Sequence, residues 1–218
     1  MEISEAISVL QGFSGTNLTV TLARIEASLR GANTDTCSTS LADSLADTST
    51  LAAAGLVKRL AGEINVVIHA LGILLCLPHI LEPQETIEYV SLGAGNTGRE
   101  FDLETDKRIA EFKFIRWQGG AEAIRQNSLF KDFYCMAACA SSKRKFLYVL
   151  GTDYALKFLN GGRALSSVLS KKKLHDEFTK AFGEKYRTVR DYYVPRRHLV
   201  ELKDVSSFVP ELVSAGLD

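Results

Sequence analysis

Gly98-Arg99-Glu100-Phe101-Asp102-Leu103-Glu104-Thr105-Asp106-Lys107-Arg108-Ile109-Ala110-Glu111-Phe112-Lys113 is the stretch from which the fold class follows. From Arg99 to Thr105 the residues alternate, Phe101 and Leu103 on one side against Glu100, Asp102 and Glu104 on the other. Asp106-Lys107 reads as a tight turn, and from Arg108 to Trp117 the alternation resumes, with Ala110, Phe112 and Phe114 opposing Glu111, Lys113 and Ile115. A period of two on both sides of a short polar turn is the pattern of a β-hairpin. Immediately upstream, Thr86 to Leu92 is rich in β-formers, so three consecutive antiparallel strands are expected.

Outward from the hairpin the period changes. Gly119-Gly120 releases the chain into a predicted helix over residues 121–140, and Phe146 to Leu150 fits a buried strand. Helical segments are expected at 154–159, 164–169 and 174–182. Before the hairpin, a long helix is expected from about Thr50 to Leu77, ended by Pro78 and Pro83. Ile3, Ile7 and Leu10, then Leu18, Leu22, Ile25 and Leu29, make two apolar stripes of one or two further helices. Between Gly31 and Ser49 the chain is rich in Ser, Thr, Ala and Asp and reads as a linker. Three segments follow: a helical piece and linker over 1–50, a core over 51–160, and a basic, mainly helical extension over 161–218.

Composition limits the class. The chain has 218 residues, 46% hydrophobic and 24% charged, which suits a packed globular protein and excludes wholesale disorder or a disulfide scaffold. Four cysteines without a CxxC pair argue against a zinc ribbon. The 26 basic and 26 acidic residues cancel, but not locally. Residues 1–63 carry four basic and seven acidic side chains, a net of −3, whereas 143–203 carry 15 and six, a net of +9. An anionic partner for the C-terminal part is therefore expected, the alternative being a solvated helical surface. The first twenty residues contain Glu2 and Glu5 but no Lys or Arg, so a secretory signal is not expected and a cytoplasmic location is. The most apolar window, Ile64 to Leu77, contains Asn65 and His69 and falls short of the roughly 20 residues of a membrane span. It reads as a buried helix, with no membrane as partner.

In the hairpin, Asp102 falls close to opposite Glu111, and Glu111 shares a strand face with Lys113. Two carboxylates and an ammonium then converge. Such a group can hold Mg²⁺ or Mn²⁺ while leaving coordination sites to water and a phosphate, with the lysine beside the attacking water. The alternative is a cross-strand ion pair worth about 0.2–1 kcal/mol.

The same residues resemble the PD-(D/E)XK nuclease superfamily, the restriction-endonuclease-like fold, in its Holliday-junction-resolvase-like branch. The resemblance rests on Gly98-Arg99-Glu100-Phe101-Asp102-Leu103 and Ile109-Ala110-Glu111-Phe112-Lys113 and covers about residues 55–160. No Pro precedes Asp102, a departure shared by many branches. The resemblance implies an α/β protein with a restriction-endonuclease-like core: a mixed central sheet flanked by helices, with additional N- and C-terminal helices. It implies a metal-dependent endonuclease or exonuclease that hydrolyses nucleic-acid phosphodiesters, DNA foremost. Asp102, Glu111 and the backbone carbonyl of Phe112 would bind metal, and Lys113 would serve the attacking water. Gln126, with Tyr134 two turns on, would join from the following helix, and Glu63 from the preceding one, Glu88 being a weaker substitute. Homodimers are common in such a family. Some relatives keep the fold but lose cleavage and only bind or assemble.

Two other features remain. Gly93-Ala94-Gly95-Asn96-Thr97-Gly98 has the form GxGxxG, which in a nucleotide- or S-adenosylmethionine-binding enzyme precedes a helix. The period-two alternation that follows favours a hairpin loop instead. The basic tracts Lys143-Arg144-Lys145, Lys171-Lys172-Lys173 and Arg196-Arg197, interleaved with Tyr186, Tyr192 and Tyr193, suit contacts to a phosphate backbone. Cys135, Cys139 and the four histidines show no metal spacing, and His69 reads as a core histidine.

Overall fold

The computed structural model describes residues 1–30, 45–93, 100–115, 117, 123–169 and 172–214. The chain forms two compact units, Met1–Asn65 and Val66–Asp218, and the divide falls inside a helix.

The first unit contains α1 (Ile3–Ser14), α2 (Leu18–Leu29) and the start of α3 (Thr48–Ile80). Gly15 ends α1 at a φ of 59°, a left-handed value that only glycine adopts freely. Asn17 then caps α2, its side chain accepting the Val20 N–H at 3.2 Å. Asp47 caps α3 in the same way, taking the Thr50 N–H at 2.7 Å. Of the expected linker, residues 31–44 lie outside the described part, and its end already belongs to α3.

The second unit is a mixed α/β domain. After the rest of α3 come β1 (Ile87–Val90), β2 (Leu103–Thr105), β3 (Arg108–Lys113), α4 (Ala123–Ala138) and β4 (Arg144–Val149). Helices α5 (Asp153–Leu159), α6 (Leu165–Val168), α7 (Lys172–Phe182) and α8 (Val189–Tyr193), then β5 (Glu201–Asp204) and α9 (Pro210–Ser214), complete it. The sheet runs β1-β2-β3-β4-β5. The first three strands are antiparallel, β4 is parallel to β3, and β5 is parallel to β4.

Alternation along β3 and β4 sends side chains to two apolar layers. Leu147 and Val149 pack with Leu129, Phe130, Phe133 and Met136 of α4 and with Phe178 and Tyr192 beyond. Ala110, Phe112, Phe146 and Tyr148 face the other way, against Ile73, Cys76 and Leu77 of α3 and against Val205 and Val209. The larger of these side chains, such as Leu147, Phe112 and Ile73, each contribute about 1.5–3 kcal/mol when removed from water.

Two expectations are corrected. Helix α3 runs through Pro78 to Ile80, because a proline in the last turn forfeits one hydrogen bond while the Leu81 N–H still reaches the Leu77 carbonyl at 3.1 Å. The same helix is not simply buried. Ile73, Cys76 and Leu77 are covered, but Val67, Leu71, Leu74 and Leu75 are 45–53% exposed. By length and composition alone, α3 is long and apolar enough to cross a membrane. Within the extension after residue 160, β5 joins the sheet beside the helices.

At Gly72, α3 lies directly against the Phe114 ring just beyond β3. A Cβ there would lie 2.7 Å from the Phe114 ring. Gly72→Ala should therefore destabilise the fold by about 1–2 kcal/mol in urea titrations, despite the gain of about 1 kcal/mol in helix propensity. Gly55→Ala, with nothing within 4 Å, should show the gain alone. A stabilised Gly72→Ala protein would disprove this packing.

Candidate active site

The β2–β3 ladder pairs Leu103 with Ala110 and Glu104 with Ile109, which extends to Asp102 opposite Glu111. Backbone pairing stops there and side chains take over. The Asp102 N–H donates to Glu111 Oε2 at 3.2 Å, and the Phe112 N–H donates to Asp102 Oδ2 at 3.0 Å. In an extended strand the N–H and C=O of one residue point the same way, so the Phe112 carbonyl also faces the Asp102 side. Lys113, the last residue of β3, places Nζ 3.2 Å from Glu111 Oε1. The three expected residues are thus brought together where β2 begins and β3 ends.

Two residues join them that the sequence reading did not assign. Asp132 of α4 lies 2.7 Å from Lys113 Nζ through Oδ2. His69 Nε2 of α3 lies 3.4 Å from Asp102 Oδ1, with its ring edge-on to Phe114. His69, expected as a satisfied core histidine, has a partner in Asp102, but its side chain is 27% exposed and so lies at the edge of the core. For Asp132 a signal existed: it is the only acidic residue in α4, on a stretch with Leu129, Phe130, Phe133 and Met136.

The remaining expected residues are dispersed. Gln126 sits on α4 about a third of a turn round the axis from Asp132, its Oε1 shielded and without a hydrogen-bond partner. Tyr134 packs instead against Phe178 and Tyr192. Glu63 is exposed in the first unit, and Glu88 binds Lys143 at 2.6 Å. Of the glycine loop, residues 94–98 lie outside the described part. Residues 100–102 are bends that lead into β2, not the first turn of a helix.

The basic tracts divide. Lys143 binds Glu88 and Glu104, Arg144 binds Glu82 at 2.6 Å, and Lys145 donates to the Cys139 carbonyl. These three are engaged within the fold. Arg196 stacks 4.2 Å over the Tyr192 ring and donates to the Tyr186 hydroxyl. Lys171 lies outside the described residues; Lys172, Lys173 and Arg197 are exposed.

Charge at the site is unbalanced. Burial, with Asp132 and Asp102 nearby, raises the Glu111 carboxyl to about 7 against the pull of Lys113. Burial also disfavours the Lys113 ammonium, but Asp132 and Glu111 outweigh it and raise its pKa above the usual lysine value. Among the described residues, no three His, Cys, Asp or Glu side chains form a group that could hold a metal ion. A divalent cation here would rest on Asp102, Glu111, the Phe112 carbonyl and water. The surplus of negative charge around Glu111 suits that donor set.

No family model matches the chain, and neither a curated protein nor a solved structure does.

The raised Glu111 pKa fixes a pH dependence. The folded state holds this proton between the ordinary 4.5 and about 7, so the stabilisation is fully present below 4.5 and is lost as pH rises through 7. Relative to the native chain, Glu111→Gln should gain roughly 1–3 kcal/mol between about pH 5 and pH 8 in urea unfolding. A difference that stays flat with pH would contradict it.

Proposed function

We propose that the protein is a metal-dependent nuclease with a PD-(D/E)XK-like site on a restriction-endonuclease-like core, acting on nucleic-acid phosphodiesters, DNA foremost. The observation that carries the reading is the convergence of Asp102, Glu111 and Lys113 at the end of one hairpin, with the Phe112 carbonyl on the same side. The order α3-β1-β2-β3-α4-β4, with three antiparallel strands followed by a parallel one, supports it. So does a buried carboxylate whose neighbours leave it short of positive charge.

Asp102 and Glu111 would hold Mg²⁺ or Mn²⁺, which when bound supplies Lewis acidity and a more acidic water. Lys113, held charged by Asp132 and Glu111, donates to the attacking water or to a phosphate oxygen and neutralises charge as it develops. Its raised pKa makes it a donor and not a proton acceptor. The exposed Lys172, Lys173 and Arg197 offer contacts to the phosphate backbone.

A second reading, a binding protein of the same fold without cleavage, is favoured by the closure of Lys113 between two carboxylates. A nucleotide-binding enzyme using Gly93–Gly98 is the weaker alternative, because β2 follows the loop.

Incubation with plasmid and single-stranded DNA or RNA, in Mg²⁺, Mn²⁺ or EDTA, separates these readings. Cutting that needs the metal and falls by at least about 10²-fold in Asp102→Ala and Lys113→Ala is expected. Salt-sensitive retention of nucleic acid without cutting would replace the nuclease by the binding protein.

A further inference from the structure

Asp132 is 6% exposed on an apolar stretch of α4, where an ionised carboxylate is expensive unless it is paired. Its Oδ2 accepts from Lys113 Nζ at 2.7 Å and from the Ser128 hydroxyl at 3.4 Å, and its Oδ1 lies 3.7 Å from Lys131 Nζ. Lys113 Nζ is thus closer to Asp132 than to Glu111, which it meets at 3.2 Å. Without Asp132, the half-buried ammonium would have Glu111 as its nearest carboxylate and would compete there with any cation.

We propose that Asp132 is a positioning residue that takes the larger share of the Lys113 ammonium, which still touches Glu111, and so limits how far the lysine neutralises the Asp102–Glu111 pair in place of a divalent cation. The proposal rests on the reading of the site as cation-dependent. Asp132 touches neither substrate nor cation; it acts through Lys113. The lysine is shared between helix α4 and strand β3, and its distance from Glu111 is set by the helix.

A double-mutant cycle on the full chain tests it, with Mn²⁺ binding read from the electron paramagnetic resonance of free Mn²⁺. Asp132→Asn should weaken Mn²⁺ binding roughly tenfold when Lys113 is present, yet change it less than about twofold when made together with Lys113→Gln. The same loss in both backgrounds would mean that the Asp132 charge acts directly on the cation, and no loss in either would mean that it does nothing; both overturn the proposal. Should Asp132→Asn not fold by circular dichroism, Asp132→Glu carries the test. It keeps the carboxylate and should stay within about threefold of the native affinity, whereas a tenfold loss overturns the role. A native chain that binds no Mn²⁺ would sink the cation-dependent reading itself, and the proposal with it. Tight native binding with a flat cycle would sink the proposal alone.

Discussion

The second unit's site depends on a reciprocal exchange between two neighbouring strands. Beyond Ala110, β2 and β3 are joined by carboxylates instead of backbone carbonyls: Asp102 takes the Phe112 N–H and Glu111 takes the Asp102 N–H. Each acid therefore satisfies a main-chain donor that would otherwise be orphaned near the end of the sheet. The same bonds fix where both carboxylates stand. Fold and candidate chemistry are not separable there, since removing either side chain also removes a rung of the ladder.

Strand β3 carries charge at both ends, and the two ends are built differently. At its start, the Arg108 guanidinium is closed off by Glu85 and by the Tyr148 hydroxyl, and Glu85 also accepts from Thr105. Although burial opposes it, the pairing with Arg108 brings the Glu85 carboxyl down to about 2. At the far end, Glu111 is raised to about 7 beside a lysine that already serves Asp132. The first end is a satisfied ion pair. The second carries more acid than its one lysine can balance, which is why function is sought there and not around Arg108.

Much of this was legible in the sequence, for identifiable reasons. The alternation of Ala110, Phe112 and Phe114 with Glu111 and Lys113 announces β3, because one face of the strand packs on apolar neighbours while the other carries the charged groups. The Asp106-Lys107 turn then sets the register that brings Asp102 to Glu111. Strand β5 was missed because Glu201-Leu202-Lys203-Asp204 has a single apolar residue and lies at the sheet edge. Asp132 was missed because its meaning is tertiary: a lone acid among the apolar residues of α4 marks the position without naming the lysine of β3 that reaches it. The exposed face of α3 was hidden for the opposite reason, since a helix apolar on all sides gives no hint of which side the sheet will cover.

The composition of β5 has a consequence for assembly. A terminal strand with open amides invites another chain to dock alongside. This one presents Glu201, Lys203 and Asp204, with Glu201 bonded to Lys203 at 3.1 Å and Asp204 taking the Gly151 and Ser206 N–H groups. An incoming sixth strand would have to strip water from those ions and dislodge their partners. The charged residues of β5 therefore disfavour lateral growth of the sheet on that flank.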